Sequence, residues 1–302
     1  MNLIDIYDFI LAKSNFRTLI QYLDFASNYL GYIEKNKQAI IISQNENNYC
    51  FFQYNSYGNY QITRPINTQL FFTKDIIEEK KNRFQYLINA IKTEKENINL
   101  DEVDRQVINN MVYTIQQSIG AALDSLQPGK SNTARKINGD LFENLIRLIF
   151  EELGIKCKSG VIKVPVIENE IQLFTMNYQH DLIVSEEESY KIFGTIKTSS
   201  IDRLDKIFID NFLYNKLTNT RVPHIAIILN DVQRKNTKKK ENEYGVSTTF
   251  LPGHFKGYTL KLNPLDGVYY CDLRSSMKSD EILRQNIKSL DHLLIEDIWR
   301  FL

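Results

Sequence analysis

The sequence is poor in the residues that mark several function classes. Three cysteines, Cys50, Cys157 and Cys271, stand far apart with no CxxC pair, which argues against a disulfide framework and a thiolate zinc site; they read as reduced, structural thiols. Four histidines are scattered with no HxxxH and no Ser/His/Asp order, so neither a zinc-hydrolase helix nor a serine triad is indicated. Twelve glycines form no GxG or P-loop spacing, which argues against nucleotide hydrolysis. No run approaches the roughly 18 apolar residues that span a bilayer, and Met1-Asn2-Leu3-Ile4-Asp5 lacks the basic region of a signal peptide. The expected location is therefore the cytoplasm, with no membrane partner. Neither sign of charge dominates: 37 Lys and Arg balance 37 Asp and Glu, so any nucleic-acid surface must be local rather than a long-range field. One local candidate is the run from Arg234-Lys235 through Lys238-Lys239-Lys240, readable as a solvated hairpin loop or as a phosphate contact.

What is present describes an ordinary globular chain: 302 residues, 43% hydrophobic and 12% aromatic, enough for one large domain or two modest ones. Apolar residues at three-to-four spacing make 3 to 30 helical, short Ile/Tyr/Phe runs between Ala39 and Thr63 read as a small sheet, and helices return from Lys74 to Leu126. The turn Gln127-Pro128-Gly129-Lys130 sets a boundary between an N-terminal, mostly helical α+β domain over 1–125 and a second domain over 126–302. The second domain reads as a helix from about Asn138 to Leu153, capped by Asn138 or Asp140, then a strand from Val161 to Val166. A hairpin follows (Leu173 to Val184, Tyr190 to Thr198), then a helix from about Ile201 to Leu217 with Ser200 as its cap, and the strand His224 to Asn230. Further strands are expected near Ser247 to Phe250 and Tyr258 to Leu262, and two short helices at the end. Mixed alternation of this kind predicts an α/β fold, a central mixed sheet flanked by helices.

The hairpin carries the chemistry. Alternation puts Thr195 and Lys197 on one face, and pairing can bring Asp181 beside them, so a carboxylate and an ammonium share one polar spot. Phosphodiester hydrolysis uses that combination: oxygen ligands hold a hard Mg²⁺ ion, and a cation orients water and offsets developing charge. The next helix places Arg203, Lys206 and Asp210 on its polar side, where Asp210 can supply a second carboxylate or simply face solvent.

Asp181 followed by Thr195-Ile196-Lys197 resembles the PD-(D/E)XK nuclease signature, with His180-Asp181 in place of Pro-Asp and Thr195 where an acid usually stands. The segment Lys197-Thr198-Ser199-Ser200-Ile201-Asp202-Arg203, followed by Asp210, resembles type II restriction endonucleases that cleave CCGG and CCNGG-type sites, in which the second acid has moved onto the following helix. Gly139-Asp140-Leu141-Phe142-Glu143 is similar to the start of the first catalytic-domain helix in such enzymes. The resemblance covers residues 131 to 235 and implies a restriction-endonuclease-like core. Asp181, Asp210 and Glu143 would be Mg²⁺ ligands, with Lys197 and Thr195 as further catalytic positions. It also implies base reading by Asp202 and Arg203, since Arg can bond guanine O6 and N7 and a carboxylate can accept from cytosine N4; Ile201 stands where members often carry a basic residue. Arg135, Lys136, Lys206, Gln233 and Arg234 are further DNA-contact candidates. The implied partners are a palindromic double-stranded DNA site, a second copy of the chain and a companion DNA methyltransferase. A structure-specific repair nuclease of the same fold, or a catalytically degenerate DNA-binding module, would use the same residues.

Overall fold

The structure, a computed structural model, describes residues 3–56, 58–126, 129–187, 189–200, 204–235 and 244–302. The chain begins with α1 (Leu3–Leu11) and α2 (Leu19–Asn36). Thr18 accepts from the Gln21 amide while the Gln21 side chain takes the Thr18 N–H, so two donors without helical partners are satisfied where α2 starts. Strands β1 (Ala39–Ile42), β2 (Tyr49–Ser56), β3 (Asn59–Ile62) and β4 (Ile66–Asn67) form a small antiparallel sheet in which β2 pairs with the other three. Two long helices follow, α3 (Lys74–Glu94) and α4 (Glu102–Leu123), capped by Thr73 and Asp101. Every residue of α4 from Val107 to Leu123 is buried, so this helix is enclosed on all sides rather than presenting one apolar stripe.

After α5 (Ser131–Glu152) come β5 (Cys157–Glu168), β6 (Ile171–Glu186), β7 (Ser189–Lys197), α6 (Leu204–Thr218) and β8 (His224–Ile228). A short hairpin, β9 (Val232–Arg234) and β10 (Val246–Thr248), precedes α7 (Pro252–Lys261), β11 (Gly267–Tyr270), α8 (Ser275–Ser279), α9 (Glu281–Asn286) and β12 (Ile287–Ser289); helical turns fill 290–301. The central sheet has six strands in the order β12-β11-β8-β7-β6-β5. From β7 to β12 they are parallel, whereas β5, β6 and β7 form an antiparallel meander, so the sheet is mixed as predicted. β8 is buried throughout, and its alternation serves both faces: Ile225 and Ile227 join the core made by α5 and the N-terminal helices, while Ala226 and Ile228 join the core beneath α6 and α7. Residues on both sides of 125/126 build that first core. No described helix is long and apolar enough to cross a membrane.

Several local expectations are corrected. The predicted strand at Tyr258 to Leu262 lies in α7, where Pro252 fits the first helical positions and Phe255 and Tyr258, three apart, pack on Phe208 at 5.6 and 5.5 Å. The helix α5 starts at Ser131, so Asn138 and Asp140 are interior residues rather than caps: Asn138 accepts from Gln116 Nε2 at 2.9 Å and Asp140 pairs with Lys13. Strands β11 and β12 were not expected at all, and they extend the sheet by two.

Candidate active site

The site forms where β6 parts from β7. Their register runs from Glu186↔Ser189 to Leu182↔Gly194 and stops there. On the other side, β6 meets β5 with a register shift between Lys158 and Gly160, which face Ile183 and His180, so β6 carries an extra residue at this point. A bulge of this kind breaks strict alternation. Leu182 and Val184 enter the α5-side core, but His180, of the same parity, lies in the opposite layer with its ring stacked on Phe193 at 4.4 Å and 5°. Asp181 sits in this bulge, and its Oδ2 accepts the Ile196 N–H at 2.9 Å. A side-chain carboxylate thus replaces a strand partner where the ladder ends, and its direction is fixed by the backbone of β7.

Lys197, the last residue of β7, brings its ammonium 2.5 Å from Asp181 Oδ2 and 3.2 Å from Glu143 Oε1. Glu143 comes from α5, whose Leu141, Phe142, Leu145 and Ile146 are buried against the sheet, leaving Glu143 on the rim. One turn earlier Gln116 of α4 holds Asn138, which fixes the helix to its neighbour. The three charged side chains are only 12% to 27% exposed. Burial and the neighbouring Asp181 charge push the Glu143 carboxyl above its usual range, and the Lys197 ammonium opposes that shift. Two carboxylates crowded around one cation, with little water, make a site whose net charge favours a further positive ion. Among the described residues no three His, Cys, Asp or Glu side chains converge on one point. A pair of hard oxygen donors nonetheless fits Mg²⁺, which is commonly held by one or two carboxylates with waters and substrate phosphate completing the shell.

The remaining sequence candidates are placed as follows. Thr195 is half-buried on β7 opposite Ala226 of β8. Asp210 does not join the Asp181–Glu143 pair: it bonds Lys206 one turn earlier on α6, and its charge is felt at Tyr178 and His224 on the α6 side of the sheet. Arg135 and Lys136 are exposed on α5, two turns or about 11 Å before Glu143. Gln233 and Arg234 are exposed on β9, which begins four residues after Ile228, the register partner of Lys197. Asp202, Arg203 and Ile201 lie outside the described residues, as do Lys238, Lys239 and Lys240, and with them the helix start that Ser200 was expected to cap. The Ser200 hydroxyl pairs with Thr249 at 2.8 Å.

Sequence reasoning treated His180 as a neighbour of the site and missed its packing. Burial, then the nearby His224 and Lys206, push its imidazole down to about 3, so it is neutral. The rings of His180, Phe193, Tyr214 and His224 interlock behind Asp181. A signal was available at His224, which opens the apolar run Ile225 to Leu229, whereas His180 stands between Gln179 and Asp181 and offered none.

The fold that carries these residues is shared with a solved enzyme. The crystal structure of the Type IIP restriction endonuclease Kpn2I superposes with a TM-score of 0.69, covering 99% of this chain and 97% of that one, at 16% identity. The chain has a type II restriction endonuclease fold. A restriction endonuclease PspGI–substrate DNA complex matches more loosely, with a TM-score of 0.43 over 74% of this chain and 92% of that one, at 13% identity. At the level of sequence, no family model and no curated protein matches. The restriction-endonuclease fold therefore rests on backbone geometry, from the first helices to the last strands.

Proposed function

We propose that this protein is a Mg²⁺-dependent type II restriction endonuclease that hydrolyses phosphodiester bonds in double-stranded DNA at a specific site. The observation that carries the reading is the Lys197 ammonium held between Asp181 and Glu143 at the parted ends of β6 and β7. Asp181 and Glu143 would hold Mg²⁺, which when bound supplies Lewis-acid activation of water and of the phosphoryl group. Lys197 donates to the scissile phosphate and orients the attacking water, while the Ile196 N–H keeps the Asp181 carboxylate aimed at the site. Asp210 stays in the proposal as the third acid, because its pair with Lys206, an i,i+4 pair at the helix surface, is worth only about 0.3–0.5 kcal/mol and is readily exchanged. Asp202 with Arg203 reads bases, and Arg135, Lys136, Lys206, Gln233 and Arg234 contact DNA. Two copies of the chain straddle a palindrome, one active site per strand, in a cytoplasm that also holds a protecting methyltransferase.

Incubation of the purified protein with plasmid DNA and Mg²⁺ yields discrete fragments, and Lys197→Ala abolishes them while the variant remains folded. A smear, or nicks that follow DNA structure rather than sequence, would favour a repair nuclease instead. Tight binding without cleavage would favour the non-catalytic reading that Thr195 at the usual acid position permits.

A further inference from the structure

The turn between β1 and β2 reaches across to the β9–β10 hairpin. In that hairpin Lys235 donates to the Gly245 carbonyl, and Arg234 faces Val246 in the next position of the antiparallel ladder. Hydrogen-bonded and non-bonded pairs alternate in such a ladder, so the Val246 N–H and C=O point outward from the hairpin. Asn45 takes both: its Oδ1 accepts from the Val246 N–H at 2.8 Å and its Nδ2 donates to the Val246 carbonyl at 2.9 Å. One exposed side-chain amide thus stands in for a third strand. The Ser43 hydroxyl donates to the same Asn45 Oδ1 at 3.1 Å, and the Gln44 N–H bonds the Tyr244 carbonyl at 3.1 Å. Beneath these contacts Tyr49, Phe51 and Val246 share a small apolar cluster. A second tie lies beside it, where Arg274 bonds Glu46 at 2.6 Å and faces the buried Asp231, whose carbonyl accepts from both the amide and the hydroxyl of Thr249.

We infer that Asn45 is a positioning residue for DNA reading: it fixes the pose of the β9–β10 hairpin and hence of Gln233 and Arg234 over the DNA. This deepens, and rests on, the reading of the chain as a site-specific nuclease. A two-stranded hairpin of three residues per strand does not hold a fixed orientation alone. Gln233 and Arg234 alternate to opposite faces, so a small rotation of the hairpin decides which of the two is presented to the bases and which to the backbone. The N-terminal sheet acquires a role by this route: it braces from one side a reading element that the catalytic domain holds from the other through Ser200–Thr249 and Arg274–Asp231.

The test uses the full-length protein and the duplex site defined by sequencing the ends of wild-type digests. Discrimination is measured as the ratio of kcat/KM on that duplex to kcat/KM on its single-substitution versions. Asn45→Ala is expected to lower the ratio about tenfold, with kcat at saturating site within about twofold of wild type. In an Arg234→Ala background the further loss from Asn45→Ala should be small, because the two act through one element. Unchanged discrimination in Asn45→Ala, or losses that simply add, would overturn the inference while leaving the nuclease reading intact. Absence of site-specific cleavage by the wild-type protein would instead remove the reading on which it rests.

Discussion

Replacing Lys197 with methionine removes the ammonium that stands 2.5 Å from Asp181 and 3.2 Å from Glu143 while keeping most of the side-chain volume. The two carboxylates then face one another with 12% and 27% of their surface exposed, too little for water to screen them fully. Removing one partner of a well-buried ion pair costs about 3–5 kcal/mol, and this partly open site falls near the lower limit, about 3 kcal/mol. In a chain of this length each kcal/mol shifts Tm by about 1.6 °C, so a drop of about 5 °C is expected. Glu143, already pushed upward by burial and by Asp181, rises further without Lys197 and relieves part of the repulsion by taking a proton. Added Mg²⁺ should then occupy the place of the ammonium. At a hundred times its dissociation constant it returns about 2.7 kcal/mol, or about 4 °C, and the wild type gains less because Lys197 competes for the same oxygens. Thermal unfolding with and without MgCl₂ reads this directly, and plasmid cleavage should fall on the order of a thousandfold. A variant that cuts at the wild-type rate, or one whose Tm responds to Mg²⁺ no more than the wild type's, would refute the assignment of this cluster.

Three further outcomes test the surroundings. Gly194 faces Leu182 in the last pair before Asp181, and an added Cβ would lie 3.0 Å from both Leu182 Cβ and Cδ2, so Gly194→Ala should cost about 1–3 kcal/mol in urea unfolding and slow cleavage; a neutral variant would show that the strands part freely. Asp272 is buried, which pushes its carboxyl up to about 6 despite bonds from Tyr49 and Asn67 at 2.9 Å. Its proton is held in the folded state between about pH 4 and 6 but released in the unfolded one, so stability falls by up to about 3 kcal/mol as pH rises through that window, and Asp272→Asn should flatten this part of the profile. Parallel profiles for the two proteins would contradict this. Finally, Asp210→Ala should lower cleavage at least about tenfold if Asp210 serves as the third acid; wild-type rates would confine its role to the Lys206 pair.

How much of this was legible in the sequence follows from the range of the interactions. The β6–β7 hairpin was readable because two apolar, β-branched and aromatic runs joined by a short acidic turn form a local pattern, and α5 because Leu141, Phe142, Leu145, Ile146 and Ile149 repeat at helical spacing. The segment from Tyr258 to Leu262 was misread because Tyr258 and Thr259 favour strands, whereas Phe208, on which Tyr258 packs, lies about fifty positions away. The cap expected at Asn138 or Asp140 failed for the same reason, since Gln116 and Lys13 claim those side chains.

By itself, the sequence determined that a carboxylate and a lysine would meet on one hairpin, because pairing of adjacent strands is fixed by a short turn and by alternation. Only the tertiary structure decided that Asp181 sits in a bulge, that Glu143 rather than Asp210 completes the contact with Lys197, and that Asn45 grips Val246 from 201 positions away. A bulge depends on which strands part and which stay paired, and a helix's rim residue depends on how the helix packs. Those outcomes are settled by burial of surfaces far apart in the chain, which no local pattern encodes.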